Sequence, residues 1–181
     1  MSEKTEKIIV LGKSGSGKDF LMRKLVEKGL TPCVKCTTRP MRKFEQQGIT
    51  YNFIENENFT ELINDGKFLT HQSFEVTPEN SNPETWYYGI TLEEFNSKQV
   101  LIMTPGELLN LPLELRKGCF VVYLDIARDI REKRLHHRED KNDSVKRRLD
   151  ADEEDFKISI DYDLKITDPD FGADDVYDLM N

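Results

Sequence analysis

The sequence predicts an α/β fold in which helices flank a parallel β-sheet. Two short, continuous apolar runs, "KIIVLG" at residues 7–12 and "CFVVYLD" at residues 119–125, have the form of strands buried on both faces of a sheet. From residue 91 onward, strand-like runs alternate with segments of helical spacing, and this alternation indicates βαβ units. A length of 181 residues suits one domain of this kind.

The first half of the chain is predicted to alternate between strands, loops and helices. "KIIVLG" leads through a glycine-rich loop into the helical run "DFLMRKLVEKG", which Gly29 ends. The segments that follow are a strand ("CVKCTT"), a polar loop ("RPMRKFEQQG"), a strand ("ITYNFI"), a helix ended by Gly66 ("NENFTELINDG"), a strand ("KFLTHQSFEV") and an exposed loop ("TPENSNPET") before "WYYG".

The second half has a more regular pattern. "TLEEFNSK" predicts a helix, "QVLIMT" a strand, and "PGELLNLPLELRKG" a helix interrupted at Pro112. The charged stretch at residues 127–156 has few apolar anchors and predicts two solvated helices joined at "EDKND". The chain ends in one last strand and a closing amphipathic helix.

Composition and charge exclude several classes of function. The net charge of -8 disfavours the basic surface that a nucleic-acid backbone requires, so we expect no nucleic-acid partner. No apolar run approaches 18 residues, and the start "MSEKTEKIIVLG" has the form of neither a membrane span nor a secretion signal. We therefore expect a cytoplasmic protein with no membrane partner.

The three cysteines do not form a disulfide framework, in agreement with a reducing compartment. Cys33 and Cys36 form a C-x-x-C pair, but zinc needs about four ligands. The histidines His71, His136 and His137 lie far away in the sequence. Small apolar side chains on a strand explain the pair better than a metal or redox role.

The run "GKSGSGKDF" at residues 12–20 matches the phosphate-binding pattern G-x-x-x-x-G-K-[ST] except at the last position, which is Asp19. Polyphosphate is bound by successive backbone N–H groups at a helix N-terminus, on a path that only glycine allows. A glycine turn with a solvent-exposed lysine is the alternative, but a strand before the loop and a helix after it favour the phosphate site. The residues predicted to bind ATP are Gly12, Ser14, Gly15, Ser16, Gly17, Lys18, Asp19 and Phe20.

Several arginines are candidates for binding phosphate groups, because phosphoryl transfer proceeds mostly by positioning and charge neutralisation. "TTRPMR" places Arg39 and Arg42 in a loop. Arg134 and Arg138 lie four apart on one predicted helix face, and Arg148 lies farther along. Periodicity alone leaves a solvated charged face as an equally good interpretation of these last three.

The order and spacing of several segments resemble the guanylate kinase family over nearly the whole chain. The segments are "TTRPMRKFEQQGITYNFI", "GKFLTHQSF", "WYYG" and "REKRLHHRED" with "KRRLDADEEDF". The most specific of them is T-T-R-P-x-R followed by G-x-x-Y-x-F. The resemblance implies a P-loop NTPase fold with a core at residues 1–34, 91–125 and 158–181, an acceptor-binding segment at 35–90 and a helical lid at 126–157.

The same resemblance assigns roles to matching residues. It implies that Arg39, Arg42, Tyr51 and Tyr88 hold the phosphate of the acceptor, with Lys35 nearby. The implied catalytic residues are Lys18, Arg39 and the lid arginines Arg134, Arg138 and Arg148. We therefore expect ATP, Mg²⁺ and a small-molecule monophosphate acceptor as ligands. We expect the protein to be a monomer or a homodimer.

Three positions that read guanine in that family differ in this chain. Thr70 replaces a Glu, Ile90 replaces a Ser or Thr, and "VLIMT", ending at Thr104, replaces a strand end that carries Asp residues. A neutral hydroxyl accepts more weakly than a carboxylate, a loss on the order of 1–3 kcal/mol if nothing replaces it. Candidates for a substitute acceptor in the longer loop before "WYYG" are Glu75, Glu79 and Glu84.

Asp19 is the corresponding departure at the loop. Mg²⁺ accepts oxygen ligands and keeps several waters, so one carboxylate can replace a hydroxyl. We interpret Asp19 as a metal contact, direct or through water, that takes over from the missing strand-end acids. The simpler alternative is an acid that favours the helix dipole by about 0.3–1 kcal/mol.

The leading interpretation is a kinase that transfers the γ-phosphoryl group of ATP to GMP or dGMP, with another (deoxy)nucleoside monophosphate close behind. The G-x-G-K-D loop and the missing acids are also similar to ribose 1,5-bisphosphate phosphokinases, which gives the alternative enzyme. A third interpretation is an inactive, protein-binding guanylate kinase-like module. Intact Gly17, Lys18 and lid arginines disfavour it, because such a module does not need them.

Overall fold

The computed structural model describes residues 7–77, 82–137 and 144–178. The chain divides into two compact units, which we call unit 1 (Met1–Pro32 with Gln99–Asn181) and unit 2 (Cys33–Lys98). The strands, in chain order, are β1 (Lys7–Gly12), β2 (Cys36–Thr37), β3 (Asn52–Phe53), β4 (Phe68–Val76), β5 (Glu84–Thr91), β6 (Val100–Ile102), β7 (Cys119–Leu124) and β8 (Leu164–Ile166). The helices are α1 (Lys18–Glu27), α2 (Asn56–Asn64), α3 (Leu92–Ser97), α4 (Pro105–Leu109), α5 (Leu113–Arg116), α6 (Arg128–His137), α7 (Val145–Asp155) and α8 (Asp174–Tyr177).

Unit 1 is built on a four-stranded sheet of order β6-β1-β7-β8, in which every neighbouring pair is parallel. Its central strand β1 is apolar because both of its faces are covered, and Ile8 through Leu11 are fully buried. Helix α1 adds Leu21 and Leu25 to the same core. The predicted α/β fold with a parallel sheet flanked by helices is confirmed, and β1 ends where the glycine loop begins.

Unit 2 contains a mixed sheet of order β3-β2-β5-β4. β2 and β3 are parallel, whereas β5 runs antiparallel to both β2 and β4. The ring of Phe59 on α2 packs 4.4 Å from the ring of Phe68 and 5.4 Å from that of Tyr87. Gly89 on β5 has no side chain because a Cβ there would collide with these phenylalanine rings. One face of the sheet is thereby covered by α2.

Some element boundaries differ from those predicted. The strands expected over "CVKCTT" and "ITYNFI" have only two residues each, β2 and β3. Glu84 and Thr85, expected in an exposed loop, begin β5 because they pair with Val76 and Glu75 across the hairpin. Cross-strand pairing of this kind leaves no apolar pattern in the sequence.

The charged stretch does form two helices, α6 and α7, and Pro112 does separate α4 from α5. The predicted joint at "EDKND" lies outside the described residues. Within the described residues, no helix is long and apolar enough to cross a membrane.

Candidate active site

The glycine loop of unit 1 lies between the end of β1 and the start of α1. Gly15 and Gly17 have φ angles of 76° and 103°, which residues with a side chain rarely adopt. A Cβ at Gly15 would lie 2.7 Å from the carbonyl oxygen of Arg131. The Ser16 N–H donates to the Lys13 carbonyl at 3.1 Å and tightens the turn. This strand, loop and helix fit the cradle that polyphosphate binding requires.

Lys18 lies at the first position of α1, with its ammonium folded back onto the loop. Its Nζ donates to the carbonyl oxygens of Gly12 at 2.6 Å and Lys13 at 3.2 Å. The hydroxyl of Ser16 is fully buried and has no hydrogen-bond partner among the described residues. A buried donor without a partner is costly, and a phosphate oxygen in the cradle would relieve that cost.

Asp19 and Phe20 follow in the first turn of α1 and are both exposed. An exposed carboxylate directly after Lys18 is a ligand of the kind that Mg²⁺ accepts, with water in the other positions. The described part of the chain contains no group of three or more Asp, Glu, His or Cys residues suited to a metal. The role of Asp19 as a metal contact therefore stays a prediction that rests on one carboxylate.

The three predicted lid arginines differ in whether the structure describes them and in whether they contact the glycine loop. Arg134 on α6 donates through Nη1 to the carbonyl oxygens of Gly15 at 3.3 Å and Ser16 at 3.4 Å. Arg148 lies half-buried on α7. Arg138 lies outside the described residues. Arg134 is therefore the arginine of this set that the described contacts bring to the loop.

A pocket of about 780 Å³ opens beside the loop within unit 1. It is lined on one side by Gly15, Gly17 and Phe20, and on the other by Arg134 and Phe171. The rings of Phe20 and Phe171 meet edge to face at 5.8 Å. An aromatic wall, an arginine and a phosphate cradle in one pocket suit a nucleoside polyphosphate.

One residue of the loop and three residues that contact it were not predicted as site residues from the sequence. Lys13 and Ser14 are held by Asp152 and Glu153 of α7, and Arg131 of α6 contacts both carboxylates. The residues missed as such were Lys13, Arg131, Asp152 and Glu153. Arg131, Asp152 and Glu153 stand in charged runs that are typical of solvated faces, so no local signal identifies them. Lys13 stands in the loop itself, at a position that the phosphate-binding pattern leaves open.

In unit 2, the two threonines of T-T-R-P-x-R attach their segment to β5. Thr37 Oγ1 donates to the Tyr87 carbonyl at 2.9 Å, and Thr38 Oγ1 accepts from the Tyr87 N–H at 3.0 Å. The direction of the chain that leads into Arg39 is thereby fixed. This explains why the two threonines precede the arginine in the motif.

Arg39 is a buried guanidinium, only 4% exposed. Its Nη1 and Nη2 donate to the two carboxylate oxygens of Glu45 at 3.0 and 2.6 Å, and Nη1 also donates to the Pro40 carbonyl. The Arg42 N–H donates to Glu45 Oε2 at 2.7 Å. Glu45 therefore orients Arg39 through a two-point contact, and the sequence did not predict this role.

The pair shifts the pKa values of both groups. Burial works to raise the pKa of Glu45, but hydrogen bonds from Arg39 and from the Arg42 N–H outweigh it and hold the pKa below its ordinary value. Burial likewise works to lower the pKa of Arg39, and the Glu45 contact reverses the direction. Both groups are charged at neutral pH.

Aromatic rings surround the same guanidinium. The guanidinium carbon of Arg39 lies 5.5 Å from the Tyr51 ring and 5.7 Å from the Phe53 ring, within the range of cation–π attraction. The rings of Tyr51 and Tyr88 meet edge to face at 5.9 Å. The sequence-predicted residues Arg39, Tyr51 and Tyr88 thus lie together, with Arg42 joined to them through Glu45.

Thr70 and Ile90 are paired directly across β4 and β5, and Gln72 pairs with Tyr88 two positions farther along. Alternate residues of a strand share a face, so both pairs lie on one face of the sheet. Thr70 is 8% exposed, and its hydroxyl has no hydrogen-bond partner among the described residues. Ile90 is fully buried. The two positions offer one neutral hydroxyl and one aliphatic side chain.

The structure gives the positions of the remaining predicted substrate residues, and their roles in binding stay predictions. The Lys35 carbonyl accepts from the Asn52 N–H at 2.8 Å. The side chain of Lys35 is half-buried. In unit 1, Thr104 Oγ1 accepts from the Glu107 N–H at 3.2 Å and so caps α4. Glu84 accepts from Trp86 Nε1, whereas Glu79 lies outside the described residues.

The C-x-x-C pair has the environment of apolar core residues. Cys33 and Cys36 are buried and form no disulfide. Burial raises the pKa of the Cys36 thiol to about 11, with Glu94 adding to the effect. A thiol with so high a pKa is a poor nucleophile and a poor metal ligand.

Comparison with known proteins gives consistent matches. The family model "Guanylate kinase" matches residues 4–95. A guanylate kinase of Nostoc sp. is 30% identical over 179 residues, which cover 92% of this chain and 83% of that protein. A guanylate kinase of Legionella pneumophila is 43% identical over 65 residues, 35% of this chain and 31% of that protein.

Among solved structures, that of guanylate kinase from Anaplasma phagocytophilum matches with a TM-score of 0.69. The match covers 99% of this chain and 87% of that chain at 20% identity. At 20% identity, this structural match supports the fold alone.

Proposed function

Because the chain belongs to the guanylate kinase family and is a nucleoside monophosphate kinase, we propose that it transfers the γ-phosphoryl group of ATP to GMP or dGMP. The observation that carries the proposal is the arrangement around Arg39. A buried guanidinium, oriented by Glu45 and flanked by Tyr51, matches a site for the phosphate of a small acceptor. The base is proposed from the relatives, which are guanylate kinases.

In the proposed reaction, Arg39 binds the acceptor phosphate and Glu45 keeps the guanidinium in its orientation. Tyr51 and Tyr88 add hydroxyl donors from the same face, and Arg42 adds a second positive charge. The acceptor phosphate is already a nucleophile when ionised, so no general base is required. Its oxygen forms a bond to the γ-phosphorus while the bond to the β–γ bridging oxygen breaks, and ADP leaves with that electron pair.

The loop of unit 1 is proposed to bind the phosphates of ATP. Lys18 exchanges the carbonyl oxygens of Gly12 and Lys13 for phosphate oxygens, and its charge offsets the charge that develops during transfer. The pocket between Phe20, Arg134 and Phe171 has the position and size for the adenosine. Mg²⁺, which would neutralise charge on the β and γ phosphates, is proposed to be held at Asp19.

A second acceptor class is favoured by one observation. Thr70 and Ile90 are neutral, whereas reading guanine N1–H and N2–H calls for a carboxylate acceptor. Another (deoxy)nucleoside monophosphate is therefore the alternative acceptor on the same site. Ribose 1,5-bisphosphate is a further candidate acceptor, because it too carries a phosphate that Arg39 would bind.

The proposal is tested by ADP production with ATP and Mg²⁺ against GMP, dGMP, the other monophosphates and ribose 1,5-bisphosphate. We expect turnover with GMP or dGMP, and loss of that turnover in Lys18→Ala. Turnover confined to ribose 1,5-bisphosphate would replace the proposed acceptor. No turnover with any acceptor would favour a protein-binding module.

A further inference from the structure

Arg131 is a buried arginine in a helix that otherwise carries mostly solvated charges. It lies on α6 and is 2% exposed. Its Nε donates to the Ile126 carbonyl at 3.0 Å, and Nη1 lies 3.4 Å from the Ser14 carbonyl oxygen. Nη1 also lies 3.5 Å from Asp152 Oδ2, and Nη2 lies 3.2 Å from Glu153 Oε1. One guanidinium thus joins α6, α7 and the glycine loop.

The two carboxylates on α7 hold the loop in turn. Asp152 Oδ2 accepts from the Ser14 N–H at 2.8 Å, and Oδ1 accepts from the Ser14 hydroxyl at 3.1 Å. Glu153 Oε2 pairs with Lys13 Nζ at 2.7 Å. We call this cluster the loop clamp: Lys13, Arg131, Asp152 and Glu153, with Ser14 as the residue held. Arg128 also contacts the clamp, because its Nη1 lies 3.6 Å from Glu153 Oε1.

The clamp acts on the first part of the glycine loop. Lys13 and Ser14 lie between Gly12 and Gly15, and glycine loses more conformational freedom on ordering than any other residue. Fixing residues 13 and 14 through side chains removes part of that cost before nucleotide binds. A preorganised cradle binds phosphate more tightly than one that must be ordered at that moment.

The clamp also sets which face of α7 meets the loop. Arg148 lies four residues before Asp152, so the two side chains share one face of the helix. On α6, Arg134 lies three residues after Arg131 and donates to the carbonyl oxygens of Gly15 and Ser16. Attaching Asp152 to Ser14 therefore presents the helix face that carries Arg148 to the loop.

We propose that Arg131 is a positioning residue for phosphoryl transfer, because through Asp152 and Glu153 it holds the loop at Lys13 and Ser14 and directs the Arg148 face of α7 toward it. The inference rests on the proposed function, in which the loop binds the phosphates of ATP. Arg131 itself touches neither substrate in this account. Its effect passes through the two carboxylates of α7.

The test uses Arg131→Lys, Asp152→Asn and their double variant in the full chain. Arg131→Lys keeps the charge but loses the several-point contact, and Asp152→Asn keeps the size but loses the charge. We expect each single variant to weaken ATP binding, measured by calorimetry, by about tenfold, the effect of losing one charge-assisted contact. The KM of the acceptor should stay within about twofold, because Arg39 and Glu45 are untouched. In the double variant the loss of ATP affinity should be no larger than in the weaker-binding single variant, because Arg131 and Asp152 are in contact and act through the same attachment of the loop.

Two matched controls come from the same helix. Glu154→Gln removes an exposed carboxylate that pairs with Lys157, outside the clamp, and is the cleaner control. Asp150→Asn removes an exposed carboxylate that pairs with Arg128, which also lies 3.6 Å from Glu153 of the clamp. Both should leave ATP binding and the thermal midpoint unchanged. A purely structural role for the clamp would lower the thermal midpoint and the active fraction without changing the ATP dissociation constant, and that result would overturn the proposal. Equal effects in Asp152→Asn and Asp150→Asn would overturn it as well.

Failure of the proposed function has a different signature. A wild-type chain that binds ATP and phosphorylates no acceptor would end the kinase proposal, while the dependence of ATP binding on Asp152 would still support the clamp. Unchanged ATP binding in all clamp variants, with normal turnover of GMP, would end the clamp proposal alone.

Discussion

The glycine loop of unit 1 and the acceptor-binding face of unit 2 differ in how they treat charge. The loop is surrounded by paired charges, with Lys13 on Glu153 and Arg131 on both α7 carboxylates. The proposed acceptor face has a buried charged pair, Arg39 with Glu45, and neutral residues at Thr70 and Ile90. The groups proposed to bind phosphate are present in both regions, whereas the positions proposed to read a base are neutral. Recognition of phosphate and recognition of the base are therefore separable in this chain.

The largest expected effect is at Lys18. Lys18→Ala removes the ammonium that folds over the loop, and removal of one such charge from a phosphoryl-transfer site should lower kcat by about 10³-fold. The measurement is ADP release at saturating ATP and acceptor. Lys24→Ala is the matched control, because Lys24 lies on the same helix and pairs with Glu27 at the surface. Full turnover in the Lys18 variant would contradict the assignment of the loop.

Arg39 should come next. Arg39→Ala leaves Glu45 as a partly buried charge without its guanidinium, and breaking such a pair costs about 3–5 kcal/mol of folding stability. Arg39→Lys avoids that cost but loses the two-point contact, so we expect the acceptor kcat/KM to fall about 100-fold while the ATP KM is unchanged. The control is Lys43→Ala in the same loop, at an exposed lysine. A rise in the ATP KM instead would place Arg39 outside the acceptor site.

Asp19 should give a smaller, metal-specific effect. Asp19→Ala should raise the Mg²⁺ concentration for half-maximal activity by about tenfold, because one carboxylate ligand is lost. Glu27→Ala removes an exposed acid from the other end of α1 and should leave the Mg²⁺ dependence unchanged. If Asp19→Ser raised activity and left the Mg²⁺ dependence as it was, the metal interpretation would fail.

Two buried threonines of unit 2, Thr70 and Thr37, should respond in opposite directions when their hydroxyls are removed. Thr70→Val removes a hydroxyl without a partner among the described residues, so the free energy of unfolding should rise by about 1 kcal/mol. Thr37→Val removes a hydroxyl that donates to the Tyr87 carbonyl and accepts from the Arg39 N–H, so stability should fall by about 1–3 kcal/mol. Chemical denaturation measures both, and a loss of stability in Thr70→Val would show that its hydroxyl is paired. In Thr70→Val the KM for GMP should rise a few-fold.

The last expected effect is on the pH dependence of stability. The pKa of Glu45 is held below its ordinary value of 4.5, so its contribution is present above that pH and is lost as the pH falls below it. Glu45→Gln should therefore be less stable than wild type at neutral pH, and the free energies of unfolding of the two proteins should converge as the pH falls below 4.5. Parallel curves over that range would mean that the carboxylate does not stabilise Arg39.

How much the sequence predicted depends on whether the signal is local. The strand, glycine loop and helix at residues 7–27 were predicted because apolar runs and glycines are adjacent in the chain. The placement of Arg39 near Tyr51 and Tyr88 followed from a resemblance that the family matches confirm. Arg131 was read as part of a solvated face, because its partners at the loop lie more than 100 residues away. Burial of a charged side chain depends on such distant partners and leaves no periodic pattern.

The most direct test of the central claim is the discrimination among acceptors. The ratio of kcat/KM for GMP to that for each other nucleoside monophosphate measures how strongly the base is read. Neutral residues at Thr70 and Ile90 predict a preference for GMP below about 200-fold, the range of sites that do not hydrogen-bond the distinguishing group through a charged partner. A preference above about 10⁴-fold would contradict the account, because it would require a dedicated hydrogen-bonding reader of guanine.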